Sequence, residues 1–180
     1  MDVEALKSTV LATVEANVSI APFIVAGLAF GESLAVVSVL FPATVILVAV
    51  GALIATADLP FWPIWLGAVA GATAGDWVSY EFAHYFEERI KRMWPFTRHP
   101  QMIERGEDFI RRFGVGAVFM GRFFGPLRAV VPLAAGLFRM HRPMFQLANV
   151  SSAMIWAFLL LGAGDVIGEG TGRLIEHLRH

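Results

Sequence analysis

Cysteine is absent from the 180 residues, which excludes disulfides and thiolate metal sites. Charge is scarce: charged residues make up 16% of the chain, against about 25% in an average soluble domain. With a formal net charge of −1 there is no basic excess, so bulk electrostatics exclude a nucleic-acid partner. The opening decapeptide MDVEALKSTV has no basic segment leading into an apolar core, so no secretory signal peptide is expected there. Gly-rich phosphate loops and HExxH are missing, and Ser151 and Ser152 have no histidine or acid close in sequence to activate them. His141 is the one histidine in the surrounding region, too little for a lipid phosphatase. A non-enzyme is therefore expected, with no catalytic residue, metal or cofactor. What fills the chain is apolar: 57% hydrophobic residues and a mean hydropathy of +0.64. No low-complexity linker divides it, so residues 1–180 read as a single integral membrane domain.

Residues 1–18 carry Asp2, Glu4, Lys7 and Glu15, with Val3, Leu6, Val10 and Val14 at helical spacing between them. That pattern suits an amphipathic helix, lying either at the membrane interface or on the protein's own surface. From 19 to 57 the sole charge is Glu32. The uncharged run 33–57 would extend about 37 Å as one helix, but Pro42 interrupts it. We expect a helical hairpin over 19–41 that enters and leaves on one side, then a spanning helix over 42–57. Broken backbone at membrane depth is tolerated where protein or a wet cavity covers it. Two prolines and the aromatics Phe61 and Trp62 mark a turn at 58–63, and Trp62, Trp65 and Trp94 suit the headgroup belt. A second spanning helix is expected over 64–86, small-residue-rich in its first half (GAVAGATAG) and hence suited to close packing. Segment 87–112, with seven Lys/Arg and five Asp/Glu, reads as a charged cytoplasmic loop. A second broken hairpin is expected over 113–138, a final spanning helix over 143–164 and a polar tail over 165–180. The first half of the domain is thus 19–86 and the second 113–164.

The second hairpin holds the most informative residues. Arg122 and Arg128 interrupt a stretch that is otherwise uncharged. One arginine at the bilayer centre costs roughly 2.5–3.5 kcal/mol on insertion scales, so two within a lipid-facing element require compensation. A carboxylate, a backbone carbonyl, water or an anionic ligand would each supply it. Phosphate fits well, because the planar guanidinium matches it bidentately; the bland alternative is that the arginines pair with Glu32 and Asp76 to tie hairpins together. Burial favours the neutral form of a carboxyl and an adjacent guanidinium the ionised form, so an acid such as Glu32 can exchange a proton as its cavity opens. Asp76 reads equally as a cavity residue or a packing hydrogen-bond partner. Asn149 shares a helical face with Trp156 and suits interhelical hydrogen bonding or cavity lining. Glu81, His84 and Glu88 read as a solvated face, without a third ligand for a metal.

The two halves echo each other at an offset of 90 residues: Gly31-Glu32 aligns with Gly121-Arg122, Pro42 with Pro132, and Gly75-Asp76 nearly with Gly164-Asp165. Repeats with discontinuous elements that meet near the midplane are a feature of transporters.

Taken together, these residues resemble the DedA family of bacterial membrane proteins, related to the eukaryotic VTT-domain lipid scramblases. The resemblance covers about 26–164. It is carried by Glu32 and Pro42, the GALIA run at 51–55, Gly75-Asp76 with Tyr80, the segment G-R-F-F-G-P-L-R at 121–128, and Ala135-Gly136, Met140, Phe145, Asn149 and Trp156. It implies an all-α membrane fold in which two re-entrant helical hairpins face each other among three or four spanning helices, as a pseudo-inverted repeat. It also implies translocation of an anionic phosphate-headed lipid, undecaprenyl phosphate foremost, across the bacterial cytoplasmic membrane by a multi-pass protein. The expected substrate-binding residues are Arg122, Arg128, Glu32, Asp76, Asn149 and Thr44, and the expected partners are membrane lipids, with protons and a second copy of the chain as further candidates. Two positions depart from the family pattern. Pro42-Ala43-Thr44 stands where many members have a P-G-[DE] turn, so Thr44 replaces a second acid and cannot titrate. Tyr80-Glu81-Phe82-Ala83-His84 stands where the family has Y-x-x-G-R. The alternatives are a phospholipid scramblase of broad specificity and a non-transporting scaffold whose buried charges hold the hairpins in register.

Overall fold

The computed structural model describes residues 3–34, 43–57, 59–92, 98 and 101–178, and these form helices and turns without a strand. In chain order the helices are α1 (Val3–Ala16), α2 (Ala21–Ser33), α3 (Ala43–Thr56), α4 (Phe61–Tyr85), α5 (Glu87–Lys91), α6 (Gln101–Gly121), α7 (Gly125–Leu137) and α8 (Arg142–Leu178). Proline sets several starts. It occupies the first turn of α2 and of α7, where its missing N–H has no helical partner to lose, and Pro60 precedes α4 in extended conformation.

The helix break expected within 113–138 is present. α6 ends at Gly121, the chain turns through Arg122, Phe123 and Phe124, and α7 begins at Gly125. α6 itself bends at Gly114, whose φ of 38° lies in the left-handed region that glycine enters without a Cβ clash. The bend separates the charged half of α6 from its apolar half. Of the hairpin expected over 19–41, α2 is described, whereas 35–41, together with Pro42 and Trp94, lie outside the described residues.

Three expectations need correction. Segment 87–112 is not a simple loop, because α5 and the first half of α6 fall within it; ion pairs Glu87–Lys91 and Glu88–Arg92 at i,i+4 and Asp108–Arg111 at i,i+3 support those turns. The tail does not leave the last helix, for α8 continues to Leu178, with no proline after Pro143 to end it. Helix α3 has 14 residues, about 21 Å, which is short for a hydrocarbon core of about 30 Å. Among the described helices, Arg142–Gly164 is the one segment both long and apolar enough to cross, while Ala21–Ser33 and Thr44–Thr56 are shorter apolar helices.

Two apolar cores organise the fold. One gathers Val14 of α1, Ala21, Val25 and Ala29 of α2, residues of α3, the first half of α4 and the middle of α8. The burial of Val14 shows that α1 lays its apolar face on the protein. The other core gathers Tyr80, Ile110, Val118, Val131, Ala135, Phe145 and Ala148, from the second half of α4, from α6 and α7, and from the start of α8. Helices α4 and α8 belong to both and run antiparallel: Tyr80 stacks on Phe145 at 4.4 Å, and Phe61 meets Phe158 edge-on at 5.7 Å. Trp65 donates its indole N–H to the Met154 carbonyl at 3.1 Å, so it joins α4 to α8 rather than serving only as an interface anchor; Trp62 remains exposed.

Helices α2 and α4 are in backbone contact. A Cβ placed on Gly71 would lie 2.0 Å from the Ala26 carbonyl oxygen, and Gly67 and Gly75 meet Pro22 and Phe30 in the same way one turn before and after. The small-residue run of α4 thus permits the close approach its composition implied, and it sets Ser33, next to Glu32 at the end of α2, against Gly75, next to Asp76.

Candidate functional site

The polar residues lie where the two cores meet. On α4, Asp76 separates Ala72 of one core from Tyr80 of the other; on α8, Asn149 and Ser152 separate Ala148 from Ala153. Arg122 enters from the turn after α6 and Arg128 from the first turn of α7. The break between those helices is what allows two arginines six residues apart to reach one place.

Arg122 is held on three sides. Its guanidinium pairs with Asp76 through Nη2, donates from Nη2 to Asn149 Oδ1 at 2.6 Å, and donates from Nε to Ser152 Oγ at 3.0 Å. The Asn149 amide donates in turn to the Thr73 carbonyl at 3.0 Å. Arg128 donates from Nη1 to Glu32 Oε1 at 2.7 Å and from Nη2 to Ser33 Oγ at 3.1 Å. Thr44 donates its hydroxyl to the same Glu32 oxygen. Both guanidiniums lie over the Trp156 ring, Arg128 at 4.3 Å and Arg122 at 5.9 Å from its centroid. The charged side chains are nearly sealed: Arg122 is 2% and Asp76 5% exposed, Arg128 8% and Glu32 7%.

All six residues expected from the sequence therefore converge, as two connected centres. The sequence left open which arginine meets which acid: Glu32 takes Arg128, and Asp76 takes Arg122. The arginines are thus compensated within the protein, because helices α2 and α4 bring one acid to each. Sequence reasoning did not assign Ser33, Ser152 or Trp156 to the site. Ser152 and Trp156 follow Asn149 at i+3 and i+7, one helical face, and that spacing was the available signal.

Four buried atoms in this cluster have no hydrogen-bond partner among the described residues: Glu32 Oε2, Asp76 Oδ1, Arg122 Nη1 and Arg128 Nε. Buried polar groups are as a rule paired, and an exception calls for a reason such as a functional role. Chemically, the site offers two guanidinium donors and two carboxylate acceptors, balanced in charge when all four are ionised.

A second ionic cluster lies at the far end of α4. Glu87 accepts from Arg139 at 2.5 Å and from Lys91 at 3.0 Å, and Lys91 also reaches Glu107 at 3.2 Å. Arg139 holds its position with a φ of 52°. Burial pushes the Glu87 carboxyl up, but hydrogen bonds from Arg139 and Lys91 outweigh it and hold the group below its ordinary 4.5. Burial likewise pushes Lys91 down, and its bonds to Glu87 and Glu107 carry it above the ordinary value. Arg142 forks onto Glu81 with contacts of 2.8 and 3.0 Å. Glu81 and Glu88 are surface groups as expected; His84 instead is half-buried, stacked on Tyr80 at 5.9 Å, with Nδ1 unpaired among the described residues.

Comparison with known proteins yields a consistent group. Residues 41–166 match the VTT domain. The inner membrane protein YabI of Escherichia coli (strain K12) is 33% identical over 129 residues, 71% of this chain and 50% of that protein. The inner membrane protein YqjA of the same organism is 28% identical over 129 residues, 71% of this chain and 59% of that protein. The uncharacterized membrane protein Rv2637 of Mycobacterium tuberculosis (strain ATCC 25618 / H37Rv) is 33% identical over 164 residues, 87% of this chain and 71% of that protein. The chain spans about half to two thirds of the length of the first curated relatives it matches. No solved structure gives a significant match.

Proposed function

The chain belongs to the DedA family of VTT-domain membrane proteins, and on that premise we propose that it moves an anionic phosphate-headed lipid, undecaprenyl phosphate foremost, between the leaflets of a bacterial inner membrane. The names of YabI and YqjA as inner membrane proteins support the location. The observation that carries the reading is the buried four-charge cluster at the junction of the two cores, with a free donor on each arginine and a free acceptor on each acid. In this reading α2 and the α6–α7 turn are the inner ends of two re-entrant elements, related as the halves of a pseudo-inverted repeat.

A phosphomonoester brings the charge and the oxygens that both guanidiniums accept bidentately, while its isoprenoid tail stays in the bilayer. The cluster is already balanced, however, so an incoming dianion creates an excess of negative charge in a medium of low dielectric. Protonation of Glu32 removes that excess. Ionised, Glu32 holds Arg128; protonated, it releases Arg128 to the phosphate and keeps a hydrogen bond with Thr44. Transport and proton uptake are linked in this scheme through one carboxyl, and Thr44 serves as its partner rather than as a second acid.

A second reading also has support. Each ion pair joins two different elements, Arg128 on α7 with Glu32 on α2, and the turn at Arg122 with Asp76 on α4. A scaffold that does not transport would need those ties and nothing more. Reconstitution into liposomes with a leaflet-specific assay for labelled polyprenyl phosphate separates the two. The wild type, Arg122→Ala, Arg128→Ala and Glu32→Gln are compared with the paired variant Arg128→Met/Glu32→Met. Replacing both members of a buried ion pair with apolar residues is often neutral for stability. Transport predicts a folded paired variant that moves no lipid, and a paired variant as fast as the wild type ends this reading. Rapid passage of a zwitterionic phospholipid without passage of the polyprenyl phosphate replaces the substrate by that of a broad scramblase.

A further inference from the structure

Helix α8 presents one stripe to both arginines: Asn149 and Ser152 bind Arg122, and one turn further Trp156 lies beneath Arg128 at 4.3 Å and Arg122 at 5.9 Å. Trp156 is 6% exposed, so the contact is shielded from water, where an aromatic face attracts a cation more strongly than at a surface. Among the described residues, no other aromatic ring lies against both guanidiniums. Its neighbours in the apolar core, Ala153, Ala157 and Leu161, fill space without a π face, and an aliphatic residue of similar size would serve packing alone.

The partners of Arg128 differ in permanence. Glu32 gives up this cation in the transport proposed above, and Ser33 binds it through a rotatable hydroxyl. The indole ring neither titrates nor dissociates. We propose that Trp156 is the positioning residue of this site: its π face retains the Arg128 guanidinium in place while that cation exchanges a carboxylate partner for a phosphate. It also spans the gap to Arg122, so that one ring fixes the separation of the two cations that one phosphate must bridge. This rests on the phosphate-lipid reading above and adds to it the aromatic platform on which that binding depends.

Site-specific fluorination of the indole tests the role, because fluorine withdraws π density and leaves the ring's shape almost unchanged. The full chain in lipid nanodiscs is prepared with mono-, di- and trifluorotryptophan at position 156, and with Trp156→Phe and Trp156→Leu. Binding of farnesyl monophosphate is measured beside the melting temperature. The expected result is an affinity that falls in step with fluorine content, reaching roughly tenfold to thirtyfold at the end of the series, at a nearly constant melting temperature. Trp156→Phe retains part of the affinity and Trp156→Leu loses most of it. A flat fluorine series, or a folded Trp156→Leu that binds as the wild type does, overturns the proposal. If the wild type binds no phosphate-headed probe, the transport reading fails, and the hold on Arg128 is decided without ligand. The indole resonance Raman band is then read in a chain whose other four tryptophans are phenylalanine. A band that shifts with Arg128→Met sustains the positioning role, and an unmoved band removes it.

Discussion

Two ionic clusters in this molecule are built from the same residue types and behave as opposites. The inner one, Arg122, Arg128, Glu32 and Asp76, sits between two apolar cores with side chains at most 8% exposed. The outer one, where α5 meets α6 and the end of α7, has Arg139 at 67% and Glu107 at 54% exposure. Glu87 is buried, but water and salt screen the charges that meet it from Arg139 and, through Lys91, Glu107, so these contacts contribute less and hydration can replace part of them. The inner charges have no such substitute. Every one of them depends on a particular opposite group, and a change in one alters what all the others require. That dependence is what the transport proposed above would use to link a ligand to a proton, whereas the outer cluster fastens helix ends.

The comparison is broken most severely by Arg122→Ala. Asp76 then lies buried without its cation, and removal of one partner from a buried pair costs about 3–5 kcal/mol, read as a lower midpoint in denaturant or heat. Adding Asp76→Leu to Arg122→Met recovers most of the loss; no recovery means that Asn149 and Ser152, rather than charge, dominate the site. Arg128→Ala comes next. Glu32 keeps the Thr44 hydroxyl, so the loss is smaller, about 2 kcal/mol for a hydrogen bond to a charged group, while transport falls to the level of protein-free liposomes.

In the outer cluster the sharper test is acidity. Glu87 titrates below its ordinary 4.5 in the folded chain, so its contribution to stability is complete above that value and disappears as pH falls through the lower folded value. Acid titration of the melting temperature should therefore show a steeper decline below pH 4.5 for the wild type than for Glu87→Gln. Equal slopes would mean that the Arg139 and Lys91 contacts do not persist in solution. The smallest effect is expected for Arg111→Ala. Arg111 is 83% exposed and its pair with Asp108 lies within one helix, so the change in stability stays within about 0.5 kcal/mol.

Much of the site was legible before any coordinates. An arginine in an apolar run is conspicuous because the alternative, a lipid-facing charge, is so unfavourable, and the same reasoning singled out Glu32 and Asp76. A break within 113–138 was expected, and it falls at 122–124, between Gly121 and Gly125-Pro126. Less legible were the helical character of 87–112 and of the tail, since scattered charge reads as loop although i,i+4 pairs can support a helix. Ser33, Ser152 and Trp156 were not assigned because serines and tryptophans are common in membrane helices; for Ser152 and Trp156 only their spacing from Asn149 set them apart from neighbours that pack.

The sequence by itself determined the class of protein, the helical composition and the list of residues that cannot face lipid, because composition and periodicity express transfer free energies residue by residue. Only the tertiary structure decided the partners. That Arg128 takes Glu32 while Arg122 takes Asp76, with one indole ring beneath both, depends on the backbone contact of α2 with α4 through Gly67, Gly71 and Gly75 and on the antiparallel course of α4 and α8. A charge specifies that it needs an opposite; the packing of helices specifies which one it meets.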